Sequence, residues 1–399
     1  MVDLAQLLAP LALPFEVPAV ALAGLQLDSR RLGANDLFIA IPGHHHDGRQ
    51  FIQAALAAGA AAVLAEGECD RLDWADGRPL LTIVGLSGYL PLLAARFHDQ
   101  PGRQLAITGI TGTNGKTSTS HLCAQLSELL GHPAAVIGTL GNGRLRQLDA
   151  SANTTPDVVQ LQQLLRRFVD EGVERVVMEV SSHGLVQRRV DGVPIHCGVF
   201  TNLSRDHLDY HGSMDAYRAA KRLLFSHPEL TTALLNVDDD EGRQLLQLLA
   251  PSLELRAYGE QAGRDIASLF VSVDQLRLDE RGIHGRLLDE TGRVPFSAPL
   301  LGRFNVSNLL AAVAVGSAIW SLALLICVGL MMAIPPTVAQ LNGANRRTEV
   351  APVWRQSLWL ALAVGLLLLV FMRWSPQLLV WMKIAPEVQQ PAAEFLYAI

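Results

Sequence analysis

Leu105-Ala-Ile-Thr-Gly-Ile-Thr-Gly-Thr-Asn-Gly-Lys-Thr-Ser118 runs from an apolar strand through a glycine-rich turn into an amphipathic stretch. Strand, turn and helix in that order make a phosphate loop. N–H groups of the turn and of the helix N-terminus point at an anion, Lys116 adds a compact positive charge, and the Thr117 hydroxyl can hold Mg2+. Gly112, Thr113, Asn114, Gly115, Lys116, Thr117 and Ser118 are therefore the candidate ATP-binding residues. The strict pattern asks for glycine at position 110, where this chain has Ile110, so the motif is a variant of the generic one.

A phosphate loop calls for a parallel sheet, and the flanking sequence has its rhythm. Apolar runs at 105–110, 175–180, 198–202 and 233–237 alternate with helical stretches such as 117–130, as in βαβ units. Residues 1–100 alternate apolar runs at 37–41, 60–64 and 80–84 with an alanine-rich helical stretch at 51–58. Residues 268–300 alternate more loosely around Gly282 and Gly292, which suggests hairpins at the edge of the second domain. The expected fold class is α/β. A small N-terminal α/β domain (1–100) precedes a central phosphate-loop domain with a mainly parallel sheet (101–312), and a hydrophobic α-helical segment follows (313–399).

Composition changes near Arg303. Of the 70 charged residues, 62 lie in residues 1–303, while no Asp, Glu, Lys or Arg occurs in 304–345 or 356–372. Trp320, Trp354, Trp359, Trp374 and Trp381 sit in the same last quarter. Runs of hydrocarbon length flanked by Trp and Arg read as membrane helices, with buried core helices as the alternative. The start, with Asp3 and Glu16 and no basic n-region, does not look like a secretory signal, so a cytoplasmic location is expected with membrane association through 313–399. Cys69, Cys123, Cys197 and Cys327 have no paired spacing and read as small buried apolar residues of a reducing compartment. A net charge of −6 leaves no basic footprint for nucleic acid.

Arginine carries almost all the positive charge; the lysines are Lys116, Lys221 and Lys383 alone. A lysine kept in such a sequence suggests chemistry that guanidinium cannot supply, either a compact phosphate-binding charge or an amine able to deprotonate. Glu179, in Val176-Val-Met-Glu-Val-Ser-Ser-His-Gly184, falls at the carboxyl end of an expected strand, where it can be a second Mg2+ ligand or a solvated edge residue. His207 lies in Thr201-Asn-Leu-Ser-Arg-Asp-His-Leu-Asp-Tyr-His211, directly after another expected strand, and is the candidate imidazole ligand. Lys221 follows fourteen residues later.

Thr-Gly-Thr-Asn-Gly-Lys-Thr resembles the phosphate loop of the Mur ligases and of folylpolyglutamate synthetase. Asn-Leu-Ser-Arg-Asp-His-Leu-Asp-Tyr-His-Gly followed by Ala-Ala-Lys is similar, more narrowly, to the branch of the Mur ligase family that adds the third peptide residue of a cell-wall precursor. That resemblance implies that Lys221 becomes a carbamate and holds a second Mg2+ together with His207 and Glu179, which requires a neutral amine. It implies a uridine diphosphate site at Leu27, Ser29 and His44, His45 and His46, the triple His being otherwise readable as a metal cluster. It implies a muramoyl-dipeptide site at Asn153, Thr154, Thr155, Ser181, Gln187 and Arg189, and places Asn236 on the nucleotide side. The partners implied are ATP, Mg2+, a UDP-N-acetylmuramoyl dipeptide and an amino acid, with diaminopimelate expected. Folylpolyglutamate-type ligases share the loop but leave residues 44–49 and 153–156 unexplained.

The family pattern runs through Gly302-Arg-Phe-Asn-Val-Ser-Asn-Leu-Leu-Ala-Ala312. Residues 328–344 then resemble a multidrug and toxic compound extrusion transporter. The expectation is a join between unrelated genes, natural or introduced during sequence assembly, in which catalysis is impaired because a third ligase domain is replaced. The competing expectation is a membrane transport or anchoring protein that carries the nucleotide-binding part as a passenger. Positive charge at Arg346, Arg347 and Arg355 would keep that loop cytoplasmic, so one crossing before it would put the ATP site outside.

Overall fold

The run Ala106–Thr111 is buried along almost its whole length, as a central parallel strand covered on both faces must be. The computed structural model describes residues 1–43, 46–249, 252–260, 269–289 and 292–316, and Met1–Gly316 form one compact unit. The fold is α/β with mixed, mostly parallel sheets.

The larger sheet has eleven strands in the order Gln147–Asp149, Gly141–Arg144, Ala134–Gly138, Arg175–Glu179, Ala106–Thr111, Ile195–Phe200, Thr232–Asn236, Glu254–Tyr258, Leu269–Asp279, Gly282–Leu288, Arg293–Ala298. Pairing is parallel from Ala134–Gly138 through Leu269–Asp279 and antiparallel at both ends. The chain leaves Ala106–Thr111 to build one side, then returns to build the other. The carboxyl end of that strand is thus a topological switch point, where open α/β sheets hold ligands. Register puts Glu179 opposite Ile110, at the mouth of this crevice.

The smaller sheet orders Gly24–Gln26, Asp36–Ala40, Ala62–Gly67 and Arg78–Val84 in parallel, with Arg71–Ala75 antiparallel at its edge. Leu37, Ile39, Leu64, Leu81 and Ile83 pack there against Leu86, Leu90, Leu93 and Phe97 of the helix Leu86–Phe97. The helix Val158–Asp170 serves both cores. Its Val158 and Val159 join this cluster, while Leu161, Leu165 and Phe168 enter the larger core with Ile107, Met178 and Phe200. Burial of each such side chain contributes about 1.5–3 kcal/mol, and Asp157 caps the helix by accepting from the amides of Val159 and Gln160.

Several expectations shift. The strand expected at 198–202 is Ile195–Phe200; beyond it Thr201 N still donates to Thr111 O, while the Thr201 and Asn202 side chains brace the phosphate loop. That expected at 60–64 is Ala62–Gly67, after a turn at Gly59 whose φ of 103° only glycine adopts readily. The looser 268–300 region is an antiparallel meander, Leu269–Asp279, Gly282–Leu288 and Arg293–Ala298. Cys123 is buried and its thiol is pushed up by desolvation, but Cys69 is exposed, against the expectation of buried cysteines, since it lies in the surface turn that leads from Ala62–Gly67 to the edge strand Arg71–Ala75. Residues 304–316 are helical. The hydrophobic helices expected from 313 onward lie, beyond Gly316, outside the described residues, as does Cys327. No helix among the described residues is long and apolar enough to cross a membrane.

Candidate active site

The phosphate loop is shaped by what presses on it. Gly112 has φ 147°, and a Cβ there would sit 1.8 Å from Thr201 Oγ1; Gly115 has φ 87° and would meet Asn308 Oδ1 at 2.4 Å. Thr201 Oγ1 donates to Asn114 O at 2.7 Å, Asn114 N donates to Asn202 Oδ1 at 2.9 Å, and Thr113 N donates to Asn202 O at 2.8 Å. The helix Lys116–Leu129 begins at Gly115 with no side-chain cap, which leaves its first amides free for an anion. Ser118 is exposed on that first turn.

Three charged side chains gather beside the loop. Lys116 Nζ donates to Gly112 O at 2.8 Å and Thr113 O at 2.9 Å. Lys221, in the helix Met214–Arg222, is 2% exposed and donates to the same Gly112 O at 2.7 Å. Burial, then repulsion from Lys116, pull its amine down to about 7, with Asp206 opposing. Lys116 is lowered too, mainly by burial, with Glu179 and Asp206 opposing. Glu179 is 1% exposed; it accepts from Thr117 Oγ1 at 3.0 Å, Thr139 N at 2.9 Å and Thr139 Oγ1 at 3.2 Å.

His207 belongs to an adjoining aromatic group. Its backbone is left-handed at φ 51°, and its ring meets His183 edge-on at 4.9 Å between centroids and Tyr217 at 6.1 Å. Lys221 Nζ lies 4.4 Å from the Tyr217 ring centre, so His207 and Lys221 face that ring in common. Thr117 and Glu179 are hydrogen-bonded; no set of three His, Cys, Asp or Glu among the described residues stands in metal-binding geometry. The hydroxyl and carboxylate at the loop suit a hard cation such as Mg2+.

Thr155 is fully buried and donates to Glu179 O at 3.0 Å or Ser181 Oγ at 3.1 Å. Ser181 caps the helix Ser182–Val186 by accepting from Gly184 N. Arg189 Nη1 donates to Thr155 O at 2.7 Å, its Nε and Nη2 donate to Gln187 Oε1, and Gln187 Nε2 donates to Tyr210 OH at 3.2 Å. Thr154 Oγ1 lies 3.1 Å from Thr139 Oγ1, and Asn153 O accepts from Ser151. These residues form a bank joined to the phosphate loop through Glu179, whose carboxylate accepts from Thr117 of the loop and from Thr139 and whose carbonyl accepts from Thr155. Asn236 is buried, donating to Thr201 O at 2.7 Å and accepting from Asp238 N, so it braces the segment that braces the loop. In the smaller sheet Leu27 is half-buried, Ser29 opens the turn Ser29–Arg31, and His46 O accepts from Gly43 N; His44 and His45 lie outside the described residues.

Sequence reading passed over Thr139, Asn202, Tyr217 and Asn308. Thr139 follows a short apolar run, Ala134–Gly138, whose Gly-Thr ending was its one signal. Asn308 has none without the fold, because its partner Thr119 is 189 residues away.

A glycine-lined turn at the switch point, with the buried Glu179, the buried Lys221 and the half-buried Lys116 beside it, has the form of a phosphate loop. The Mur ligase middle domain matches residues 110–316, the Mur ligase family catalytic domain matches 21–84, and MatE matches 297–399. This chain belongs to the Mur ligase family. It is 45% identical over 301 residues to the UDP-N-acetylmuramoyl-L-alanyl-D-glutamate--2,6-diaminopimelate ligase of Ectopseudomonas mendocina, covering 75% of this chain and 61% of that protein. It is 47% identical over 290 residues to the ligase of the same name from Pseudomonas aeruginosa, covering 72% and 58%. A solved structure of such a ligase superposes with a TM-score of 0.66 at 32% identity, over 79% of this chain and 64% of that one. The chain thus spans about three fifths of the length of the curated relatives it matches.

Proposed function

We propose that residues 1–316 carry the nucleotide and acceptor sites of an ATP-dependent amide-forming ligase that extends UDP-N-acetylmuramoyl-L-Ala-D-Glu, with diaminopimelate as the incoming amino acid. The supporting observation is Lys221: a buried amine near 7, fixed on the phosphate-loop carbonyl that Lys116 also uses. Charged, it repels Lys116. Neutral, its lone pair attacks the carbon of CO2, an N–C bond forms as one C=O electron pair moves to oxygen, and the amine loses a proton to water. The resulting carbamate exchanges a positive charge for a negative one beside the cradle.

Mg2+, when bound at Thr117 and Glu179, neutralises charge on the transferring phosphoryl group. The chain's own residues do the rest. Gly115 and the first amides of its helix hold the phosphates, and Lys116 trades two carbonyls for a phosphate oxygen. Gln187, Arg189 and Thr154 face the acceptor, whose carboxylate attacks the terminal phosphorus as the bond from that phosphorus to the bridging oxygen breaks, giving an acyl phosphate and ADP. The amine then displaces phosphate. His207 and the carbamate of Lys221 supply a second cation site in this reading, and Leu27, Ser29 and His44–His46 the uridine diphosphate site. Cytoplasmic location accompanies it, since its substrates are cytoplasmic precursors.

Calorimetry of the full chain with UDP-N-acetylmuramoyl-L-Ala-D-Glu and with Mg2+·ATP is expected to give saturable binding of both; absence of either ends the proposal. Phosphate release that requires added diaminopimelate tests the complete reaction. A second reading, attachment to a membrane through 313–399, draws on the MatE match. Recovery of the expressed chain wholly outside the membrane fraction would remove it.

A further inference from the structure

We propose that Thr139 is a positioning residue that fixes the Glu179 carboxylate and links the phosphate bank of the crevice to the acceptor bank; the identity of the ligands rests on the ligase reading. The side chain of Glu179 crosses Gly138 so closely that a Cβ there would stand 2.1 Å from Oε1. The next residue then grips both oxygens: Thr139 N donates to Oε1 at 2.9 Å and Thr139 Oγ1 donates to Oε2 at 3.2 Å. The third donor is Thr117 Oγ1 at 3.0 Å. A cation seated between Thr117 and Glu179 must turn the Thr117 proton away, because a hydroxyl ligand offers its lone pair. The two bonds from Thr139 survive that change and keep the carboxylate plane set.

Direction follows from proton counting. An ionised carboxylate only accepts, and Thr139 has one hydroxyl hydrogen, which goes to Glu179. The contact of 3.1 Å between Thr139 Oγ1 and Thr154 Oγ1 therefore has Thr154 as donor. The chain runs from Thr154 to Thr139 to Glu179, and Thr154 presents only lone pairs to the crevice. It can accept an N–H, such as a peptide amide of the acceptor, and it disfavours a carboxylate. Displacing Thr154 on acceptor binding pulls on the same hydroxyl that orients Glu179.

The test uses the full chain and calorimetry. Thr139→Val keeps the size and the backbone N–H but removes the relay, while Thr139→Ser restores the hydroxyl. T139V is expected to weaken Mg2+·ATP by about tenfold or more, the usual cost of losing a partner that orients a metal ligand. It should leave ATP in excess EDTA unchanged and weaken the UDP-muramoyl dipeptide; T139S should return each affinity to near wild type. Equal binding of Mg2+·ATP by T139V and wild type overturns the proposal, as does equal loss with and without metal, or failure of T139S to rescue. A wild-type chain that binds neither ligand removes the ligase reading, and the role of Thr139 falls with it.

Discussion

Lys116 and Lys221 donate to one and the same oxygen, the carbonyl of Gly112, at 2.8 and 2.7 Å. Two ammonium groups on one acceptor repel each other, and burial weakens the screening, so the deeper amine gives up its proton first. Lys221, at about 7 against an ordinary 10.5, binds fewer protons folded than unfolded across that interval. Stability therefore rises with pH between about 7 and 10.5, and below 7 the cost of charging Lys221 is carried in full. Lys221→Met has no such group. Denaturant titrations should show wild type gaining on K221M by up to roughly 1.4 kcal/mol per pH unit above pH 7. A pH-independent difference would place the amine elsewhere.

Gly112→Ala is expected to damage the loop twice. Its φ of 147° lies outside the range of alanine, and the new methyl would overlap Thr201 Oγ1. Urea unfolding should show a loss of at least about 1–2 kcal/mol, and ATP binding should fall below detection. Gly172→Ala, at φ 71° with nothing near its Cβ, is the control for backbone cost alone and should leave ATP affinity unchanged.

Glu241 is 4% exposed and accepts from Arg222 Nε at 2.5 Å, with Arg218 Nε 3.0 Å away, so it anchors the helix that bears Lys221. Both arginines are one-third exposed, which moderates the loss. Glu241→Ala should cost about 2 kcal/mol in chemical denaturation. A change under about 0.5 kcal/mol would mean that the two ion pairs add no more than surface ones do.

Arg189→Met removes the bonds to Thr155 O and Gln187 Oε1. Affinity for the UDP-muramoyl dipeptide should drop at least about tenfold, a typical loss for a charged hydrogen bond, with Mg2+·ATP affinity held within twofold. Equal loss of both ligands would assign Arg189 to holding the crevice together instead of to the acceptor.

The sequence made the phosphate loop legible because glycine, lysine and threonine occur there at fixed spacing. The acid at 179 was legible because an apolar run ended on it. The strand Ala134–Gly138 was not, since alanine is a weak strand former and its place comes from the two neighbours that bury it. The helix Val158–Asp170 had a visible pattern, Val158, Leu161, Leu165 and Phe168 behind a capping Asp157, and was passed over. The meeting of Lys221 with the Gly112 carbonyl and of Thr201 with Asn114 joins residues 109 and 87 apart in the chain, which no local pattern announces.

The eleven-stranded sheet also has two rims to defend. One rim strand, Gln147–Asp149, is three residues long, too brief to template a partner. The other, Arg293–Ala298, carries Pro295 in its middle, opposite Arg286, and proline has no amide hydrogen to offer an incoming strand. A copy of the chain approaching this rim finds a gap in the donor row, so self-association by strand addition is discouraged where the sheet is widest. Pro295→Thr would restore the missing donor and open that rim to fibrous growth.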